Sequence, residues 1–566
     1  MTKHKKLIRK TYLFLLVALQ IFCLQAQEYH PPLDSRLLLS GTFGELRSNH
    51  FHTGIDLKTK GVEGLPIYAI EKGYISRIKV SSFGYGKALY ISHPDGNTSV
   101  YAHLKNFSVK IDSLVQKEHY NRESFEINIY PKENEIIINK GEVIALSGNS
   151  GSSAGAHLHF EIRDTYSEKP LNPLDFNFKV LDNLAPVIKK IKILDLTNPL
   201  KEIGNIVKVN KKEKKYHLEG PIKVSEKIGV AINTYDISND CYNKNGVNSI
   251  KLFLDSTLIY ELVMDKLDFS TNKYINAHID FREKKENKSK YHKCYKLPHN
   301  KLNNYKTLVN NGFIKLKDTN IHNLLLEASD SYGNVSRLTF EIQLDTIKSE
   351  IIKNDIDTME TKYFSWLKEN YFKTNNFSIE VPQKSLYQSI NFEFQRKDSI
   401  KGLMSQIYMC HHDFIPMHKK ALISIKAQIN DKLRDKAYIA KIVNNKFYYI
   451  GGKWKNSYLT SKISEFGNYA IAIDTIKPEI RGVNIYPGKI LKKQKTLKCT
   501  ISDKDSGIKK YNATLNNEWI LMSYDHKTKL LKYNFDDKIK KGKNILEIKV
   551  EDQRNNINIY YAEFNY

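Results

Sequence analysis

Two short segments carry side chains whose types and spacing suit metal chemistry. In Asn49-His50-Phe51-His52-Thr53-Gly54-Ile55-Asp56-Leu57, positions 51, 53, 55 and 57 are mostly apolar, while His52 and Asp56 share the other parity. Successive side chains of a strand alternate faces, so His52 and Asp56 are expected on one face. In Gly155-Ala156-His157-Leu158-His159-Phe160-Glu161-Ile162-Arg163 the alternation is strict. Ala156, Leu158, Phe160 and Ile162 form one face, and His157, His159, Glu161 and Arg163 the other. Another histidine, His103, ends the strand Val100-Tyr101-Ala102-His103-Leu104. One histidine alone, or His-x-His alone, is more often structural. His-x-x-x-Asp plus His-x-His on polar faces, with a further histidine between them in sequence, is a specific pattern. Two imidazoles and one carboxylate suit zinc, whose catalytic sites keep three protein ligands and an open position for water. Zinc lowers the pKa of that water to about 7. Hydrolysis also needs a proton acceptor and a donor to the oxyanion, roles that two histidines outside the ligand set could divide.

The elements that must position these groups are short strands. Glycines crowd the stretch from Gly41 to Gly155, and between them lie alternating runs such as Tyr74–Val80, Ala88–His93 and Thr98–His103. Pro94-Asp95-Gly96-Asn97 joins the last two as a hairpin turn. The expectation is a small antiparallel β domain over residues 35–180. The polar stretch 106–140 reads as an insertion lying beside the site. Gly148-Asn149-Ser150-Gly151-Ser152-Ser153-Ala154-Gly155 lacks the lysine of a phosphate loop and reads as the turn feeding the histidine strand.

With these residues in view, the segments HTGID, YAHL, SGNSGSSAGAHLHFEIR and LNPLDF resemble the lysostaphin/LytM-type zinc metallopeptidases, which cut peptide bonds in peptidoglycan. The resemblance covers about residues 40–176 and rests on four separated motifs in the family's order. It implies zinc ligands His52, Asp56 and His159, with His103 and His157 as catalytic histidines beside the metal. It also implies a small antiparallel sheet with an open groove. Ala156 stands where many relatives have proline, and the 106–140 stretch is long; neither touches the five functional residues. Glu161 shares the polar face and reads as a structural residue or as a partner that orients a histidine. His50 is a weaker substitute ligand, since Asp56 already fits.

Beyond residue 180 a weaker repeat sets the organisation. The openers Asp182-Asn183-Leu184-Ala185-Pro186-Val187-Ile188, Asp345-Thr346-Ile347-Lys348-Ser349-Glu350-Ile351 and Asp474-Thr475-Ile476-Lys477-Pro478-Glu479-Ile480 resemble one another. Leu326–Asn334 and Ile548–Asn556 are matching closers. The segments resemble bacterial immunoglobulin-like modules, the outer two more alike than the middle one. The overall fold class is therefore mainly β: a small antiparallel zinc peptidase domain followed by a β-sandwich-like domain at 182–344, a β-rich domain at 345–473 and an immunoglobulin-like sandwich at 474–566. Such repeats serve as spacers or adhesive arms, so residues from about 182 onward are expected to be dispensable for chemistry. Cys241 and Cys294 share one of these domains and are candidates for a disulfide. Cys410-His411-His412-Asp413 with His418 lacks paired zinc-site spacing and reads as a loop. Asp503-x-Asp505-x-Gly507 resembles a calcium loop, but Thr514 stands where that loop needs its glutamate, so a turn is the better reading.

Composition bounds the partners. The 566 residues are 41% apolar, enough for several packed cores, and five cysteines exclude a disulfide-dense scaffold. A basic head (MTKHKKLIRK), an apolar run of about 14 residues and a cleavage point after Ala26 describe a secretory leader over residues 1–26. That run is short for a membrane span of about 20 residues, and no later segment is long and apolar enough to span. Phe22 before Cys23 argues against lipoprotein processing. With 88 Lys+Arg against 62 Asp+Glu the chain carries +26, and +21 once Lys3, Lys5, Lys6, Arg9 and Lys10 leave with the leader. Such a charge favours polyanions. Export excludes nucleic acid as the counterpart and points to peptidoglycan and anionic wall or envelope polymers, in the periplasm or cell envelope. The reading is an exported zinc endopeptidase cutting peptide crosslinks. The alternative is a catalytically silent wall-binding protein that activates a partner hydrolase.

Overall fold

The structure, a computed structural model, describes residues 28–198, 200, 203–212, 215–346 and 359–566. The expected leader at 1–26 lies outside these residues, as does the middle opener from Ile347 onward. Apolar–polar alternation broken by glycine turns gives the first domain eleven strands before residue 165: β1 (Leu39–Gly41), β2 (Ile55–Lys58), β3 (Pro66–Tyr68), β4 (Gly73–Val80), β5 (Lys87–Ser92), β6 (Asn97–Leu104), β7 (Asn106–Phe107), β8 (Ile127–Ile129), β9 (Ile137–Ile138), β10 (Val143–Leu146) and β11 (His157–Asp164). The main sheet runs β1-β2-β11-β6-β5-β4-β8, antiparallel throughout. A smaller sheet runs β3-β10-β7. Ile55, Leu57, Tyr101, Leu158, Phe160 and Ile162 are fully buried in the core beneath the main sheet. Burial of one face fixes the register, because a one-residue slip would turn every core side chain outward.

Residues 106–140 do not form a lobe beside the site. They contain helix α1 (Val109–Asn121), which buries Ile111 and Val115 against the domain core. Ile127–Ile129 and Ile137–Ile138 pair with β4 at the sheet edge remote from β2 and β11. The stretch is polar overall because only one side of each element is buried.

Three further units follow, each a pair of packed sheets. Residues 187–344 form five- and seven-stranded sheets, 360–473 six- and five-stranded sheets, and 479–565 four- and five-stranded sheets. Each pair encloses its own apolar cluster, the β-sandwich arrangement. The chain is thus mainly β, as the alternating segments imply. The four described cysteines are buried free thiols, so Cys241 and Cys294 are not paired.

These units are not a detached arm. Phe43, Leu46 and Phe51 of the first domain are buried in the core of the second. Asn272 clamps the main chain of Phe51, accepting from its N–H at 2.6 Å and donating to its carbonyl at 3.2 Å. Thr42 exchanges hydrogen bonds with the Gly246 main chain at 3.0 and 2.9 Å. In the last domain, Lys527 donates to Asn149 and to the Ser153 carbonyl, and the His526 ring packs on Phe83. The apolar positions 43, 46 and 51 precede the first long strand. Sequence alone does not show which core they enter.

Candidate metal centre

The strand pairing brings the two motifs together. β11 lies between β2 and β6, and His159 stands opposite Asp56 on one side and Ala102 on the other. His157, His159, Glu161 and Arg163 project from the face opposite the core, as strict alternation dictates. The first motif is less regular than its spacing suggests. Only Ile55–Lys58 is strand; His52 and Thr53 precede it in irregular backbone. Gly54 permits this path, since a Cβ there would collide with the Phe160 carbonyl. Phe51 therefore anchors in the second domain, while Ile55 and Leu57 enter the first-domain core.

His103 reaches the site by breaking alternation. Tyr101 and Leu104 are core residues, and Ala102 packs on the opposite face with Ala88 and Val100. Alternation would send His103 into the core with Tyr101. Instead the β5–β6 register shifts between Lys87 and Leu89, and His103 adopts a left-handed φ of 60°. A bulge of this kind re-aims a side chain. The His103 ring centroid consequently lies 4.9 Å from that of His157 and 5.9 Å from that of His159. Its Nδ1 donates to the Ser150 carbonyl at 2.9 Å, so the loop before β11 orients it.

His52, Asp56 and His159 form a buried group that could hold a metal ion. His52 Nδ1 donates to the Thr42 carbonyl at 2.8 Å, and His159 Nε2 donates to Glu161 at 2.8 Å. These partners leave His52 Nε2 and His159 Nδ1 facing Asp56 Oδ1. The three atoms are 3.0, 3.1 and 3.0 Å apart. Tetrahedral zinc with bonds of about 2.0–2.1 Å needs donor atoms about 3.4 Å apart, so the set fits zinc with a small opening. Asp56 Oδ2 accepts from Arg47 at 2.7 Å. Burial alone would raise the Asp56 pKa, but His52, His157 and His159 outweigh it and hold the carboxyl well below its usual range. Burial lowers the His159 pKa, yet bonds to Asp56 and Glu161 raise it to about 9. A proton and a metal therefore compete for His159 Nδ1, and metal binding releases the proton.

His157 holds its Nδ1 on the Gly155 carbonyl at 2.9 Å and keeps Nε2 3.4 Å from Asp56 Oδ1. Burial, then His159 and His157, push His103 down to about 3, so its ring is neutral. Glu161 is fully buried and accepts from Thr53 at 2.6 Å, Arg163 at 2.6 Å, Tyr85 and His159. Burial would raise its pKa, but Arg163, His159 and Thr53 keep it ionised. The Tyr85 ring also stacks on His159 with centroids 5.1 Å apart. Tyr85, Thr42 and Asn272 carry no periodicity signal in the sequence, whereas Glu161 and Arg163 stand on the polar face of the histidine strand. His50 is exposed at the cleft rim and outside the His–Asp–His group. His411, His412 and His418 belong to no metal-holding group among the described residues.

The site opens into a cleft of about 1100 Å³ lined by all five of these His and Asp residues. Its cations are Arg47, Lys58, Lys60, Lys284 and Lys290, the last two from the second domain.

A β domain with a buried His–Asp–His set and two further histidines defines the class, and the sequence comparison agrees: residues 50–120 match Peptidase family M23. The first domain is thus similar to the M23 metallopeptidases, and its His–Asp–His set fits zinc as the cofactor. Residues 361–474 match the Zu5-like domain. Among curated relatives, the DD-carboxypeptidase/endopeptidase Mpg of Neisseria meningitidis serogroup B is 33% identical over 129 residues, 23% of this chain and 23% of that protein. The match thus spans less than a quarter of that relative's length. Among solved structures, the catalytic domain of lysostaphin from Staphylococcus simulans is 23% identical and aligns with 25% of this chain and 91% of its own, at a TM-score of 0.19. A zinc-containing peptidase from Vibrio cholerae is 22% identical and aligns with 26% of this chain and 39% of its own, at a TM-score of 0.20.

Proposed function

We propose that the chain is an exported zinc endopeptidase that hydrolyses peptide crosslinks in peptidoglycan. In this reading His52, Asp56 and His159 hold the metal, and His103 and His157 act beside it. One observation carries the reading: His52 Nε2, Asp56 Oδ1 and His159 Nδ1 converge within 3.1 Å while two more imidazoles face the same cleft. Zinc, when bound, supplies an acidified water and polarises the scissile carbonyl. Thr42 and Glu161 fix the ring orientations of His52 and His159. Ser150 and Gly155 fix those of His103 and His157, leaving their Nε2 atoms for proton transfer and oxyanion contact. Lys58, Lys60, Lys284 and Lys290 give the cleft a charge suited to carboxylate-bearing stem peptides. Glycan cleavage would use two free carboxylates flanking the bond, whereas Asp56 and Glu161 are both committed to cations and histidines.

The modules after residue 182 buttress the peptidase domain and add basic surface for anionic wall polymer. Retention of every ligand type favours an active enzyme over a silent activator. Digestion of purified peptidoglycan should raise monomeric peptides, lower dimers and leave glycan chains intact. Shortened glycans with crosslinks preserved would defeat the assignment, and no digestion by the zinc-loaded protein would favour the silent activator.

A further inference from the structure

Two clusters of three aspartates lie outside the peptidase site, one at the start of the second domain and one at the start of the fourth. Asp182, Asp236 and Asp330 bring carboxylate oxygens within 4.8 Å of one another, as do Asp474, Asp503 and Asp552. The two clusters share one hydrogen-bond skeleton. Asp182 accepts from Leu184 N at 3.1 Å, and Asp474 from Ile476 N at 3.0 Å. Asp330 accepts from Tyr332 N and Asn334 N at 2.8 and 2.9 Å, and Asp552 from Arg554 N and Asn556 N at 2.7 and 2.9 Å. The side-chain amide of Asn334 bridges Asp330 to the Asp182 carbonyl, and that of Asn556 bridges Asp552 to the Asp474 carbonyl. The third aspartate follows the strand paired with the opening strand in both cases: Asp236 after Lys227–Tyr235, and Asp503 after Thr496–Ser502.

The carboxylates alone would not make a site, but each cluster also contains a buried oxygen with nothing to bind. Asp236 is 2% exposed and its Oδ1 has no partner; Asp474 is 0% exposed and its Oδ2 has none. Asn245 Oδ1, beside Asp236, and Ser506 Oγ, in the Asp503 loop, are likewise buried and unpartnered. A buried anionic oxygen without a partner is costly, and costlier beside two more carboxylates. Burial and the neighbouring carboxylates push the Asp236 carboxyl up to about 8, with no cationic side chain opposing them. Oxygen-only donors at the ends of strands, three of them carboxylates, suit calcium, which takes 6–8 oxygens in flexible geometry.

We propose that Asp182, Asp236 and Asp330 form one calcium site and Asp474, Asp503 and Asp552 a second. Both stand where a module meets its predecessor. Asn172 of the peptidase domain donates to Ser331 at 3.1 Å, and Tyr332 packs on the peptidase core. Arg554 donates to the Ala437 carbonyl at 2.8 Å and to Tyr449 at 2.9 Å. Calcium at each cluster ties the opening strand to the closing turn and so stiffens the junction. Thr514 still excludes a helix–loop–helix calcium loop around Asp503; the partner carboxylates come instead from positions 474 and 552.

The test uses the full, zinc-loaded chain, dialysed against calcium and analysed by mass spectrometry of bound metals. About two calcium ions per chain are expected at about 1 mM, where extracellular modules bind, with a calcium-dependent rise in the thermal midpoint. Asp236→Asn and Asp474→Asn should each lose one calcium and keep zinc. In calcium-free buffer above pH 8, where Asp236 is ionised, Asp236→Asn should melt higher than the wild type, because a repelling charge is gone. Absence of bound calcium in the wild type, with an unmoved midpoint, overturns the proposal whether or not the variants fold. A stoichiometry of one overturns the cluster whose variant loses nothing.

Discussion

Replacing Glu161 separates a residue that merely fills space from one that orients a zinc ligand. Its carboxylate is wholly buried and receives His159 Nε2 at 2.8 Å, Arg163 at 2.6 Å and Thr53 at 2.6 Å. Glu161→Gln preserves volume and one acceptor oxygen but removes the charge that fixes the His159 tautomer. Loss of such an outer partner lowers metal affinity by about 10–100-fold, or about 1.4–2.8 kcal/mol. The same change leaves Arg163, 5% exposed, without its anion, and breaking a buried pair costs about 3–5 kcal/mol. Zinc affinity is read by competition with a chromogenic chelator, and stability by thermal unfolding of the zinc-free protein. Both should fall. Thr53→Val, which deletes one donor worth about 1 kcal/mol, should lose some stability and keep zinc. A Glu161→Gln protein that melts lower yet binds zinc as tightly as the wild type would refute the orienting role and leave Glu161 as scaffold alone.

Other outcomes follow from the same contacts. His103→Ala and His157→Ala should retain zinc but lose about a hundredfold or more in kcat, as for lost acid–base or oxyanion help; loss of zinc in His157→Ala but not His159→Ala would mean their roles are exchanged. A chain limited to residues 27–180 exposes Phe43, Leu46 and Phe51 and loses the Asn272 clamp, so it should aggregate or bind zinc weakly; normal activity on small substrates would show the second domain to be dispensable. Phe51→Ala in the full chain should destabilise it by about 3–5 kcal/mol in chemical denaturation. Burial, then His292 and Lys293, hold His278 neutral, while burial and Lys290 push His292 down to about 3. Unfolded histidine titrates near pH 6.5, so the folded chain binds fewer protons below that pH. The contribution of these two histidines should be full above pH 6.5 and fall toward pH 3, so that stability falls less steeply with acid in His292→Leu; equal slopes would contradict this.

The site was legible where strand periodicity governs side-chain direction. His157, His159 and Glu161 needed only alternation, and Asp56 only its place between Ile55 and Leu57. His103 stands out in the sequence as the histidine ending Val100–Leu104, but its role beside the metal comes from motif resemblance, because the bulge that aims it defeats the alternation rule. The 106–140 stretch reads as an inserted lobe because a one-sided helix and strands of two or three residues look polar in sequence. The docking of Phe51 and Lys527 depends on tertiary placement, which local pattern does not encode. The acid clusters were half visible: the repeated openers and closers stand in the sequence, but convergence with Asp236 and Asp503 requires the sandwich to close.

The most direct test of the central claim measures zinc content and turnover of a purified crosslinked muropeptide dimer in the same samples of wild type and Asp56→Ala. The wild type should hold one zinc in the peptidase site and release monomers, while Asp56→Ala should lose metal and turnover together. Normal zinc occupancy in Asp56→Ala, or monomer release by a zinc-free wild type, would contradict the account.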